Sequence, residues 1–232
     1  MVSIEVYFYM LMLCVCCAFV VHLLYICIIN QSLNQFIMFL PHSIVFGRSF
    51  LASFTSFGFG GCRRPSPVCV PAASALFAGV GLVGGCDSVS VLTSCGSGVP
   101  AAAVSEFSCA TVFRASDFRG AGFRGSFAAR AAALIRSLVG SSRPLWCCFP
   151  AVACPSVAAG GVGRSWLSCG SGSWSECRLA AGLGCAVLVF LPSGIEPPMS
   201  WGQWSFVQSS VVGGSFWFLP SPSEVVQGSL FE

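Results

Sequence analysis

Serine and cysteine side chains are the candidate nucleophiles of this sequence. Catalysis by either residue usually needs a nearby general base, most often a histidine. Both histidines, His22 and His42, lie near the N-terminus of the 232-residue chain. The eight Asp and Glu residues are scattered and show no paired arrangement for acid–base chemistry. We therefore identify no catalytic residues and predict that the protein is not an enzyme.

Metal coordination is the next chemistry to weigh, because the chain contains 15 cysteines. Zinc sites usually hold cysteines in close pairs, separated by about two to four residues. Cys14 and Cys17 have such a spacing but fall in a long apolar run, and Cys169, Cys177 and Cys185 are eight residues apart. We therefore expect no metal site.

A glycine pattern, Gly79-x-Gly81-x-x-Gly84, has the spacing of a dinucleotide-binding turn. Such a turn follows a buried strand and opens a helix, whose N-terminus receives the pyrophosphate. No β-branched strand precedes these glycines, and residues 87–91 favour a strand where a helix is required. We therefore expect no nucleotide cofactor, and we identify no small-molecule substrate.

Six arginines lie between Arg114 and Arg143, with Asp117 as the one acid among them. A short repeat, Phe-Arg-Gly at residues 118–120 and 123–125, interleaves aromatic and basic side chains. Such side chains can stack on bases and neutralise phosphates. Two copies are too few to be specific, so nucleic acid is not expected as a partner. A weak nucleic-acid binder is kept as an alternative.

The longest element that the sequence predicts is a transmembrane helix, because residues 6–29 are uncharged and apolar apart from His22. At about 1.5 Å per residue the run reaches roughly 36 Å, more than a bilayer core of about 30 Å. A cleaved signal peptide is the alternative, but it would need a basic start and a shorter apolar run. Arg48, Arg63 and Arg64 follow the run, so the positive-inside rule places the N-terminus outside. We therefore predict a single-pass membrane protein whose partner is the lipid bilayer.

Residues 68–86 are a second, weaker candidate span, uncharged but rich in alanine and glycine and interrupted by Pro71. Small residues at Ala75-x3-Gly79 and Gly81-x3-Gly85 would let two helices approach closely in lipid. The protein would then be two-pass. A glycine-rich loop explains the same residues and remains the alternative.

The composition of the remaining chain argues against a globular fold. Charged residues make up 8% of the sequence, whereas soluble domains carry about 25%. We interpret residues 57–61, Phe-Gly-Phe-Gly-Gly, as a loop and the recurring Ser-Cys-Gly-Ser-Gly, at residues 94–98 and 168–172, as low complexity. A short amphipathic helix is predicted at about 127–139, between an N-cap serine at 126 and Gly140. We therefore expect no compact globular fold, but a transmembrane helix followed by a mostly irregular, cysteine-rich and disordered chain.

These predictions divide the chain into five segments. The segments are residues 1–30, a transmembrane helix; 31–67, a Phe-rich loop with Arg48, Arg63 and Arg64; 68–86, the second candidate span; 87–143, the Arg-containing segment with the short helix; and 144–232, an irregular region rich in Gly, Ser, Pro, Cys and Trp. The preferred functional interpretation is a membrane-anchored protein without biochemical activity, and it includes a translated reading frame without an evolved function. The alternatives are a small integral membrane or interaction protein, and the nucleic-acid binder.

Overall fold

Seven β-strands form one mixed sheet in the part of the chain that the computed structural model describes, residues 48–222 without residues 63, 65, 95, 211 and 212. The strands are β1 (Ser56–Gly61), β2 (Ser90–Ser94), β3 (Thr111–Phe113), β4 (Pro144–Phe149), β5 (Ala186–Pro192), β6 (Ser205–Ser210) and β7 (Gly214–Leu219). Their order in the sheet is β3-β2-β1-β4-β5-β7-β6. Neighbours from β3 to β5 are parallel, whereas β7 is antiparallel to β5 and to β6.

Helices lie in every connection between the parallel strands. The six α-helices of the described residues are α1 (Arg48–Ala52), α2 (Cys69–Ser88), α3 (Val99–Glu106), α4 (Gly122–Val139), α5 (Ser156–Ala159) and α6 (Gly172–Gly182), and short 3-10 helices span Ala115–Ala121 and Met199–Trp201. Parallel neighbours cannot be joined by a tight hairpin, so a crossover helix is the expected connection. In this chain α2 joins β1 to β2, α3 joins β2 to β3, α4 joins β3 to β4, and α6 joins β4 to β5.

Two hydrophobic clusters, one on each face of the sheet, form the core. Alternate residues of β5 enter different clusters: Ala186, Leu188 and Phe190 the first, and Val187, Val189 and Leu191 the second. Helices α1, α2 and α3 contribute to the first cluster, and α4, α5 and α6 to the second. A strand covered on both faces is apolar at nearly every position. This burial explains the uninterrupted apolar run at residues 186–191.

The inner strand β1 has large side chains on one face and none on the other. Phe57 and Phe59 are fully buried in the first cluster. On the opposite face the indole of Trp146 covers the glycines: a Cβ atom would lie 2.6 Å from its Cε3 at Gly58, and 2.5 Å from its Cζ2 at Gly60. The interpretation of residues 57–61 as a loop is therefore wrong, because the Phe-Gly alternation marks the two faces of a strand.

The predicted fold class is wrong as well. The chain described here is neither irregular nor disordered, since its apolar residues are distributed over a helix–sheet–helix arrangement. The predicted helix at 127–139 lies within α4, which begins at Gly122. Its apolar side chains, including Leu134, Ile135 and Leu138, are buried in the second cluster and not available to a membrane surface. All of the described elements belong to one unit, residues 43–232; the five predicted segments stay a prediction.

The predicted membrane localisation is also corrected. Among the described residues, no helix is long and apolar enough to cross a membrane. The second candidate span, residues 68–86, corresponds to α2. Its residues Ala73, Leu76 and Phe77 are buried in the first cluster, so this apolar face packs in the protein core. The first predicted span, residues 6–29, lies outside the described residues.

Candidate ligand-binding site

The order of the strands reverses direction at β1. From β1 the chain passes through β2 to β3 on one side, and then returns across β1 to β4 and β5 on the other. In open α/β sheets, ligands bind in the crevice at the carboxyl ends of the strands where this reversal occurs. A cavity of about 500 Å³ lies there. Its lining consists of Gly61, Ser94, Gly96, Ser97, Pro100, Phe127, Arg130, Gly172, Ser173 and Glu176.

The first wall of the crevice is the turn from β2 into α3. Ser94 is the last residue of β2, and α3 begins at Val99. Gly98, between them, has φ 70° and ψ −136°, a conformation that glycine adopts without the steric penalty of a Cβ atom. The turn places Gly96 and Ser97 in the lining, beside the N-terminus of α3.

The second wall is the N-terminus of α6. Ser171 caps this helix, and its Oγ accepts a 3.5 Å hydrogen bond from the backbone N–H of Trp174. Ser175 Oγ donates to the carbonyl oxygen of Ser171 at 2.8 Å and holds the cap. Gly172 and Ser173, the first two helical residues, therefore face the cavity. Since backbone N–H groups at helix N-termini carry a partial positive charge, the starts of α3 and α6 each contribute partial positive charge to the crevice.

Arg130 supplies a full positive charge to the same cavity. Its side chain projects from α4 and is only 3% exposed. The guanidinium carbon lies 5.4 Å from the centroid of the Phe127 ring, within the range of a cation–π interaction. A guanidinium stays protonated in proteins and can bind two oxygens at once. It is therefore suited to a phosphate or a carboxylate.

Glu176 adds an acceptor on the floor of the crevice. It is half-buried on α6, one turn after Ser173. Its carboxylate lies directly over β1, since Oε2 is 2.5 Å from the position that a Cβ atom of Gly60 would take. Ionised carboxylates accept hydrogen bonds and do not donate them. Glu176 can therefore bind hydroxyl or amino groups of a ligand.

Cys148 lies beneath the crevice and contributes no nucleophile. Its thiol donates a 3.5 Å hydrogen bond to the carbonyl oxygen of Ser173. Burial raises the pKa of this thiol well above its ordinary value, as do a hydrogen bond with Cys177 and the charge of nearby Glu176. Cys148 therefore stays protonated at neutral pH, and buried thiols of this kind are chemically inert.

The motifs weighed in the sequence do not form this site. Gly79, Gly81 and Gly84 lie inside α2 and not in a turn. The two Phe-Arg-Gly copies fall in the helical stretch from Ala115 into α4. Among the described residues, no group of three or more His, Cys, Asp or Glu side chains could hold a metal ion. Cys14 and Cys17, like both histidines, lie outside those residues.

A repeat that we interpret as low complexity is the signal that could have located the crevice. The first Ser-Cys-Gly-Ser-Gly copy, residues 94–98, ends β2 and leads into α3. The second copy, residues 168–172, leads into α6 and provides its N-cap serine. Both copies therefore contribute residues to the cavity lining. Arg130 and Glu176 carry no such local signal.

Comparison of the chain with protein-family models, with curated proteins and with solved structures finds no match.

Proposed function

We propose that the crevice binds a small phosphorylated molecule of about the size of a mononucleotide. The observation that carries this proposal is the convergence of two helix N-termini and the buried guanidinium of Arg130 on one cavity. Each favours an oxyanion, and a phosphate offers enough oxygens to accept from all three. The sequence alone predicts no small-molecule partner; the crevice is the reason to propose one.

The size and the remaining lining support the same ligand class. A volume of about 500 Å³ falls within the roughly 300–1,000 Å³ of typical small-molecule sites. Glu176, on the floor, can accept hydrogen bonds from sugar hydroxyls. Phe127 and Pro100 give the lining apolar surface that suits a sugar or a base. The proposal concerns binding and includes no catalytic step, so the absence of enzyme activity stays a prediction.

The proposal is tested by isothermal titration calorimetry of the full chain with AMP, GMP, CMP, UMP and ribose 5-phosphate, each paired with its compound lacking phosphate. We expect at least one phosphorylated compound to bind, and its partner without phosphate to bind at least about tenfold more weakly, since charge-assisted hydrogen bonds are lost. Equal binding of the two members of every pair, or no saturable binding in the millimolar range, would contradict the proposal.

A matched pair of arginine substitutions assigns the phosphate contact. Arg130→Gln should weaken binding by about 10–100-fold, because hydrogen bonds to a charged group contribute about 1.5–3 kcal/mol. Arg136→Gln is the control, since Arg136 lies on the same helix and is exposed. It should change the affinity less than about twofold, as expected for a solvated charge. Circular dichroism checks that both variants keep the fold. Equal effects of the two substitutions would remove Arg130 from the site.

A further inference from the structure

The floor of the crevice is formed where β1 and β2 end. Thr93 Oγ1 donates a 3.2 Å hydrogen bond to the carbonyl oxygen of Phe59, which holds the ends of these two strands in register. Ser94 comes next in β2 and therefore lies beside Gly60 of β1. Adjacent strands of a sheet are only about 4.8 Å apart. Since Ser94 lines the cavity, it places a hydroxyl group at the edge of the floor.

Ser94 and Glu176 lie on the same face of the sheet. Side chains alternate between the two faces of a strand, and Leu92, two residues before Ser94, is buried in the second cluster. Gly60 faces that cluster as well, because the indole of Trp146 covers it. The Glu176 carboxylate extends over Gly60 from α6, with Oε2 2.5 Å from the position of the missing Cβ atom. A ligand group at the floor of the cavity therefore has a hydroxyl and a carboxylate within reach.

The negative charge of Glu176 limits which ligand group can occupy the floor. Ser173, at the start of α6, and Glu176 are three residues apart, so they lie on one face of the helix about 4.5 Å apart along its axis. Like charges at such a distance repel each other, so the floor disfavours a second phosphate or a ligand carboxylate. A hydroxyl, in contrast, donates a charge-assisted hydrogen bond to a carboxylate. The floor therefore favours a ligand hydroxyl.

Ser94 adds a second polar group of a different kind. Its hydroxyl can both donate and accept a hydrogen bond, whereas a ligand ammonium group can only donate. Two adjacent ligand hydroxyls match the floor: one donates to Glu176, and the other forms a hydrogen bond with Ser94 in either direction. Ribose carries such a pair at its 2′ and 3′ positions. Deoxyribose lacks one of the two.

The surroundings of the floor make a missing hydroxyl costly. Trp146 is 1% exposed and Ser94 is 6% exposed, so little water reaches this end of the cavity. A hydrogen bond is electrostatically stronger where the local dielectric is low. A ligand without one hydroxyl also leaves a protein group desolvated and unpaired, which costs more than an average hydrogen bond contributes. The floor can therefore discriminate between ligands that differ by one hydroxyl.

We propose that the crevice selects a 5-phosphorylated ribose, as in a ribonucleoside monophosphate, over its deoxyribose counterpart. The phosphate binds at the two helix starts and Arg130, and the 2′- and 3′-hydroxyls bind at Glu176 and Ser94. The sugar ring separates these groups in the ligand, as about one turn of α6 separates the two ends of the site. This inference rests on the proposed function, to which it adds the identity of the sugar.

Isothermal titration calorimetry of the full chain tests the sugar preference with AMP, GMP, CMP and UMP, each compared with its 2′-deoxy and 3′-deoxy forms. We expect the ribonucleotide that binds most tightly to bind at least about tenfold more tightly than either deoxy form. Equal affinity for either deoxy form would overturn the inference and leave the phosphate site standing. Tighter binding of O-phosphoethanolamine than of ribose 5-phosphate would also overturn it, because the floor would then favour an ammonium group.

Two substitutions assign the two hydroxyls. Glu176→Gln should reduce the discrimination at one hydroxyl to less than about threefold, because the charge-assisted hydrogen bond is lost. The deoxy form that lacks this hydroxyl should bind the variant no more weakly than the unsubstituted protein, since a negative charge near the phosphate is removed. Ser94→Ala should reduce the discrimination at the other hydroxyl.

Glu106→Gln is the matched control, because Glu106 is an exposed carboxylate at the end of α3. It should change no affinity by more than about twofold, as expected for a solvated charge. Circular dichroism checks that all three variants keep the fold. If Glu176→Gln weakens the ribonucleotide and both deoxy forms equally, Glu176 supports the structure of the site without contacting the sugar, and the inference is overturned.

Nucleosides separate the sugar from the phosphate. Adenosine, guanosine, cytidine and uridine are titrated beside their 2′-deoxy and 3′-deoxy forms. If nucleosides bind as tightly as nucleotides and still require both hydroxyls, the proposed phosphate site fails and the ribose site stands. If no nucleoside or nucleotide shows saturable binding in the millimolar range, both proposals are overturned.

Discussion

Gly60 has no side chain, and the space this leaves is occupied by side chains from β4 and α6 on the same face of the sheet. A Cβ atom there would lie 2.5 Å from Oε2 of Glu176 and 2.5 Å from Cζ2 of Trp146. The indole of Trp146 cannot move easily, because Trp146 is fully buried in the second cluster, whereas the Glu176 carboxylate is the end of a flexible, half-buried side chain. One glycine thus allows the carboxylate to lie on the floor of the crevice.

Gly60→Ala should destabilise the protein by about 1–3 kcal/mol, the usual cost of overpacking a close-packed interior. Gly81→Ala is the matched control in α2, where a Cβ atom would meet no atom within 4 Å. It should leave stability unchanged or raise it by about 0.5–1 kcal/mol, because alanine favours a helix. Chemical denaturation of both variants measures the difference. A Gly60→Ala protein as stable as Gly81→Ala would show that the space over Gly60 is not filled.

The residues of the crevice differ in whether the sequence alone could have identified them. The repeated Ser-Cys-Gly-Ser-Gly is visible in the sequence, and its two copies lead into α3 and α6. Arg130 and Glu176 could not be predicted in the same way. Each looks like an ordinary helical charge, and only the sheet topology brings α4 and α6 to the same crevice.

Among the elements, β5 illustrates burial on two faces. Leu188 and Leu191 lie on opposite faces of this strand and are 1% and 0% exposed. Each is surrounded by a different set of helices. The two leucines therefore test the two halves of the core independently.

Leu188→Ala and Leu191→Ala should each lower the free energy of unfolding by about 2–5 kcal/mol, the range for removing a buried leucine. Leu82→Ala in α2, where the leucine is 71% exposed, is the control and should cost less than about 1 kcal/mol. Urea titration measures all three. A small effect at only one of the buried leucines would mean that one face of the sheet is not covered as described.

Prediction succeeded for elements with local signals and failed for those without. The spaced apolar stripe and the terminal Gly140 located the C-terminal part of α4, whereas Ser126, predicted as the N-cap, lies inside the helix, which begins at Gly122. Strands β1, β4 and β5 are short and buried on both faces. Such runs cannot be distinguished by periodicity from other apolar segments. The alternation of Phe and Gly in β1 was not recognised as a strand pattern, because the residues on its second face are glycines and not polar or apolar side chains.

At the scale of the whole molecule, composition was the misleading guide. Charged residues make up 8% of the sequence, and this number limits how many charges the surface can carry. Whether a core forms depends instead on where the apolar residues lie. Here they are placed so that a doubly covered sheet buries them in two clusters. Composition also contains no information on the order of the strands in the sheet, which creates the crevice. That order depends on which strands, distant in sequence, pair with each other.

This arrangement predicts a single cooperative unfolding transition. Trp146, Trp174, Trp201 and Trp204 are each at most 8% exposed, so tryptophan fluorescence reports on the second cluster, whereas far-ultraviolet circular dichroism reports on all helices and strands. Because one sheet separates and supports both clusters, loss of either cluster exposes the other face. In guanidinium chloride, the fluorescence and dichroism transitions of the full chain should therefore coincide, as in two-state unfolding. A gradual dichroism change without a midpoint, or fluorescence of native protein already at the wavelength of the unfolded chain, would contradict a packed sheet.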